Sequence, residues 1–161
     1  MVLKKVISGG QTGVDRAGLD AAMAVGIPAE GYCPRGRLAE DGAIPDIYPL
    51  RELGSPEYHV RTEKNVTESD GTLILNKGPL SEGTRLTYEY AVHYLKPCLI
   101  VQLDEEPGIE PAAVVGWLAS REISILNVAG PRESKFPDGI YRQARSFLEK
   151  LFLLLKESPA P

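Results

Sequence analysis

The sequence predicts an α/β protein: a Rossmann-like open, mostly parallel sheet of about five strands with helices on both faces. Three observations carry this. Short apolar runs alternate along the chain with amphipathic segments of helical period, as a series of β-α-β units requires. Two of those runs, GTLILN (71–76) and CLIVQL (98–103), are continuously apolar, the pattern of strands covered on both faces. The polar and glycine clusters follow strands, and open parallel sheets bind ligands beyond the carboxyl ends of their strands.

From the N-terminus, LKKVIS (Leu3 to Ser8) is the first strand, and GGQTG turns the chain into a helix from about Gly13 to Val25. Val14, Ala17, Ala21, Ala22 and Val25 share one face of that helix, and Gly26 with Pro28 stops it. A second short strand, AEGY, precedes the proline- and glycine-rich stretch from Cys33 to Tyr58, whose scattered Tyr, Ile and Leu mark an ordered functional loop. HVRTEKNVTES is a short helix, followed by the buried strand GTLILN. After the loop KGPLSEGT a helix runs from about Gly83 to Leu95 and ends at Lys96-Pro97, ahead of the strand CLIVQL. GIEPAAVVGWLASRE supplies a helix that packs through Val114, Val115, Trp117 and Leu118, and ISILNVAG the fifth strand. The last helix, about Gly139 to Lys156, carries a stripe of Phe147, Leu148, Leu151, Leu154 and Leu155.

The chain has 161 residues, enough for one domain over 1–156 that buries roughly 70% of its unfolded surface; residues 157–161, ESPAP, read as a disordered tail. A net charge of -4 and a pI near 5.3 give no basic field for nucleic acid. No signal-like segment or membrane-length apolar stretch occurs, so a cytoplasmic protein off the membrane is expected. Cys33 and Cys98 are far apart and form no metal or disulfide motif, and His59 and His93 lack companions at ligand spacing, so no metal site is expected. Cys33 adjoins two arginines, which could depress its thiol, although a structural role is the simpler reading. Tyr88, Tyr90 and Tyr94 share one helix and fit a core or subunit interface better than a stacking platform.

The candidate site is a set of anion-friendly groups at strand ends. Gly9, Gly10 and Gly13 let a ligand approach the backbone, Gln11, Thr12 and Asp15 flank them, and the helix that follows offers free N–H groups and the positive end of its dipole. There is no Lys after Gly13, so this is not the GxxxxGK[ST] phosphate loop. The plainer alternative is a capped helix, with Thr12 as cap and Asp15 completing a capping box. Arg35 and Arg37, two apart across a glycine, could grip one phosphate or oxyanion, or pair with Glu40 and Asp41 on a solvated loop. Asn76 heads the next polar loop, and Gly83 and Thr84 stand at a second helix start that either binds an anion or is simply capped. Asn127 and Arg132 could serve a ligand or fix the AGPRES turn.

Together GGQTGVDRAGLDAA, CPRGRLAEDGAIP, RTEKNVTESDGTLIL, GTRLTYEYA with KPCLIV, and NVAGPRES resemble the molybdenum-carrier family of the SLOG superfamily, over about Ile7 to Phe152. The resemblance implies a binding protein for the molybdenum cofactor (molybdopterin), a phosphorylated pterin held for molybdoenzymes. It also implies a homo-oligomer, dimer or tetramer. The same superfamily contains nucleoside-monophosphate phosphoribohydrolases with a PGGxGTxxE signature. Here PLSEGTRLTYE keeps Gly83 and Thr84 but has Ser81-Glu82 for two glycines and Thr87 for the acidic residue, with Glu89 on another face. A carrier rather than an enzyme is therefore expected, with a nucleotide sensor or phosphoribohydrolase-like enzyme as the alternative. The expected ligand contacts are Gly9, Gly10, Gln11, Thr12, Gly13, Asp15, Arg35, Arg37, Asn76, Gly83, Thr84, Thr87 and Asn127.

Overall fold

The computed structural model describes residues 3–157; of the tail expected over 157–161, Glu157 is the last residue of the final helix and 158–161 lie outside the described residues. Along the chain run β1 (Lys5–Ile7), α1 (Val14–Val25), β2 (Ala29–Glu30), β3 (Tyr32–Cys33), β4 (Leu38–Ala39), β5 (Gly42–Ala43) and β6 (Arg51–Glu52). There follow α2 (Tyr58–Thr67), β7 (Gly71–Asn76), α3 (Glu82–His93), β8 (Cys98–Gln102), α4 (Pro111–Ser120), β9 (Ile125–Ala129), a 3₁₀ turn at Glu133–Lys135 and α5 (Tyr141–Glu157).

Five strands form one sheet in the order β2-β1-β9-β7-β8, and every neighbouring pair is parallel. The last strand in sequence is thus the middle strand in space. Val6 lies opposite Leu126, Thr72 opposite Asn127 and Ile74 opposite Ile100. Counted from β9 as the first strand, the order reads 3-2-1-4-5, the doubly wound arrangement, with its reversal point between β9 and β7.

The helices form two groups. α1 and α4 both pack on α5, while α2 packs on α3. Covered from both sides, β7 is buried at every position, as its unbroken apolar run requires. α5 buries Ala144, Leu148, Leu151, Phe152 and Leu155. The expected stripe differs in one place: Phe152 takes the inward position and Leu154 is 37% exposed, since the 3.6-residue period carries Leu154 round to the outer side. α1 ends at Gly26, whose positive φ of 82° lets its N–H reach the carbonyls of Ala22 and Met23.

The Cys33–Tyr58 stretch is ordered and contains short regular pieces that its turn-rich sequence hides. β3 pairs with β6 in parallel and β4 with β5 as a hairpin, while Ile44, Tyr48 and Leu50 enter the core. Two side chains organise it. The Arg37 guanidinium donates to the carbonyls of Ile44, Pro45, Tyr48 and Leu50, and Arg16 of α1 forms a bidentate pair with Asp41. No helix among the described residues is long and apolar enough to cross a membrane.

Candidate functional site

The opening glycine turn is closed by the protein itself. Val14 N–H at the start of α1 donates to the Pro131 carbonyl at 3.2 Å, and a Cβ on Gly13 would lie 2.4 Å from that same oxygen. The Thr12 hydroxyl donates to Glu40 and accepts from Glu133 N–H, and Gln11 Oε1 accepts from the N–H groups of Thr12 and Glu40. Thr12 is therefore a tie between loops rather than a helix cap. Gly10 faces away from any ligand: a Cβ there would meet Leu50 Cδ1 at 2.5 Å and Ile44 Cδ1 at 2.9 Å. Glu40 gathers Thr12, Ser134 and Arg132; burial works against its charge, but the Ser134 and Thr12 hydroxyls outweigh it and hold the carboxyl below its ordinary value.

Like α2 and α4, α3 begins without a side-chain cap, and its whole first turn faces a cavity. The first-turn N–H groups therefore remain available to an anion. Ser81, Glu82, Gly83 and Thr84 line a cavity of about 280 Å³, and Thr87 lies one turn on. Gly9 and Gln11 after β1, the turn Gly130–Arg132 after β9, Asn127 of β9 itself and Lys135 complete that side. Asp15 of α1 and Tyr58, Arg61, Thr62 and Asn65 of α2 line the rest. The cavity thus sits at the carboxyl ends of β9, β1 and β7, where the wound order reverses.

Arg61 is nearly buried, donates to the Gly9 carbonyl at 2.6 Å and lies 3.8 Å from Asp15. Burial pushes the Asp15 carboxyl up from 3.8 to about 6, opposed by the charge of Arg61, the Gln11 N–H and the charge of Arg16. A group poised there changes charge near neutrality. Arg132 and Lys135 add positive charge at the cavity wall, and Glu82 adds a second carboxylate.

Of the residues expected from sequence, Gly9, Gln11, Asp15, Gly83, Thr84, Thr87 and Asn127 come together in this cavity. Gly10, Thr12, Gly13, Arg35, Arg37 and Asn76 do not line it. Arg37 is committed to four loop carbonyls, and Arg35 is exposed, its guanidinium donating to the Gly54 carbonyl and its backbone N–H to that of Ser55. Asn76 donates to Gly78 O and Gln102 Oε1 across the β7–β8 loops. The Cys33–Tyr58 stretch contributes only its last residue, Tyr58, so it braces α1 rather than covering the cavity. Sequence reasoning missed Arg61 and Asn65, although two polar residues four apart on one helix face were the signal available.

Neither cysteine is activated. Burial raises the Cys33 thiol, with Arg37 only partly opposing, and burial raises Cys98 to about 12. Among the described residues no cluster of three or more His, Cys, Asp or Glu could hold a metal ion. A second depression of about 470 Å³ at the end of β8 carries three glutamates, Glu105, Glu106 and Glu110, and suits an anion less well.

The sequence profile of the circularly permutated YpsA SLOG family matches residues 6–152. The chain belongs to that family. Circular permutation is what the strand order displays, since β9 holds the place of a first strand and comes last in the chain. A crystal structure of a "putative molybdenum carrier protein" from Syntrophus aciditrophicus SB is 47% identical to this SLOG chain, covers 94% of it and 96% of that protein, and superposes with a TM-score of 0.86. No curated protein matches it.

Proposed function

We propose that this protein binds and carries the molybdenum cofactor, holding its phosphorylated pterin in the cavity at the carboxyl edge of the sheet. The observation that carries the reading is the uncapped start of α3 inside a cavity that also presents Arg132 and Lys135. A helix N-terminus stabilises an anion by about 0.3–1 kcal/mol when exposed and by up to about 2 kcal/mol when partly buried. The cavity of about 280 Å³ is near the lower end of the roughly 300–1,000 Å³ usual for small-molecule sites. It holds the phosphate and the ring and leaves the metal-bearing part outward, accessible to a receiving molybdoenzyme. Arg132 and Lys135 supply cationic groups, and the α3 start supplies N–H groups, that suit the phosphate of the organic part.

The test is anaerobic titration with molybdenum cofactor released from a molybdoenzyme, followed by separation and fluorescence of the oxidised pterin. Saturable binding is expected, weakened about fivefold in K135A, the size of an exposed charge contact. Absence of saturable binding refutes the reading.

A second reading, a nucleoside-monophosphate phosphoribohydrolase, is favoured by one observation: Asp15, raised to about 6, lines the same cavity as Glu82, and a carboxyl near neutrality suits proton transfer. Release of free base from a nucleotide panel decides for it.

A further inference from the structure

Two acceptors in the cavity have no donor. Asp15 is 7% exposed; its Oδ2 accepts from Gln11 N–H at 3.3 Å and faces Arg61 at 3.8 Å, whereas its Oδ1 has no hydrogen-bond partner among the described residues. Asn127, 2% exposed, donates through Nδ2 to Thr72 Oγ1 at 3.2 Å and leaves its Oδ1 similarly open to the cavity. Neither is a fully enclosed orphan; the open oxygens meet cavity space. The remaining wall is rich in donors: the α3 first turn, Arg132, Lys135 and the rest of the Arg61 fork.

A buried acceptor without a donor is costly, and a charged one more so. A phosphate cannot relieve Asp15, since like charges repel. A divalent cation would find a single carboxylate and a neutral amide, with the Arg61 guanidinium already beside that carboxylate. A neutral ring edge with two neighbouring N–H donors offers a donor to each of these oxygens in the shared cavity.

We propose that Asp15 and Asn127 form the ring-reading end of the cavity and select a 2-amino-4-oxopyrimidine edge, as in pterins and guanine, over the same ring with oxygen in place of the amino group. This rests on the cavity being the site of a phosphorylated heterocycle, and it adds which ring the site accepts and which residues choose it. The amino group and the adjacent ring N–H supply two donors side by side, and replacing the amino group by oxygen turns one of them into a repelled acceptor.

The experiment is fluorescence titration of the whole protein with 6-carboxypterin and 6-carboxylumazine, which differ in the 2-substituent and in the hydrogen that the oxo form places on ring N1, alongside calorimetric titration with inorganic phosphate. The wild type is expected to favour the pterin by about tenfold or more, the size of one hydrogen bond to a charged group. D15N should shrink that preference to about twofold, while inorganic phosphate, freed of a like charge in the same cavity, should bind at least as tightly as in the wild type. Urea unfolding of D15N confirms that the variant is folded. Equal binding of the two rings by the wild type overturns the proposal, as does an equal loss for both rings in D15N. A titration that needs added Mg²⁺ makes Asp15 a cation ligand and also overturns it. If phosphate binds and neither ring does, ring selection falls and the anion site stands. If phosphate does not bind either, the reading of the cavity falls with it.

Discussion

Replacing Asp15 by asparagine should make the protein more stable. The carboxyl of Asp15 is raised by burial from 3.8 to about 6, even with Arg61, the Gln11 N–H and Arg16 pulling the other way. Because the folded value lies above the unfolded one, rising pH removes the proton from the unfolded chain first, and stability falls across that window. Below 3.8 both states are protonated and the residue costs nothing; above about 6 both are ionised and the folded state bears the whole penalty. A gap of about 2 pH units at 1.36 kcal/mol each gives roughly 3 kcal/mol at pH 8, about half of that at pH 5 and little at pH 4. Asparagine keeps the shape, still accepts from the Gln11 N–H and carries no charge. D15N should therefore exceed the wild type by up to that amount at pH 8, with the gain shrinking toward zero on acidification. Urea unfolding at the three pH values, extrapolated linearly, measures it. A D15N no more stable than wild type at pH 8, or a gain that ignores pH, would refute the reasoning.

Three further outcomes are expected. Gly10→Ala forces a Cβ against Leu50 and Ile44 at a φ of 81° and should cost about 2 kcal/mol or more, read as a lowered melting midpoint. Arg37→Lys keeps the charge but cannot serve the carbonyls of Ile44, Pro45, Tyr48 and Leu50 together; amide exchange over 38–52 should quicken while cavity binding persists. Both thiols should resist iodoacetamide at pH 8 until the protein unfolds, since burial raises each of them, and rapid native-state alkylation would contradict that.

The sequence made the elements legible and hid their neighbours. GTLILN announces a doubly covered strand because burial on both faces demands apolar residues at every position, and Gly26 marks a helix stop because it alone adopts that φ cheaply. Part of the candidate cavity was legible on the same local grounds: Gly83 and Thr84 stand at a helix start wherever the helix points. What the sequence does not show is how much of GGQTG the protein itself engages: Gly9 and Gln11 line the cavity, whereas the group that closes α1 is the carbonyl of Pro131, far along the chain. The engagement of Arg37 is hidden in the same way, since its four carbonyl partners exist only once the loop is folded. Local chemistry shows which groups could bind an anion; only the tertiary structure shows which are already engaged by the protein.

The place of β9 also bears on how the molecule comes into being. β1 and β7 each pair with β9 and not with one another, so a growing chain that has not yet reached residue 125 lacks the strand that joins the β2-β1 and β7-β8 pairs into one sheet. Asn127 and the Gly130–Arg132 turn are synthesised with that same strand. Closure of the sheet and completion of the cavity therefore coincide, late in synthesis, and a chain cut short before β9 has neither a continuous sheet nor a complete cavity.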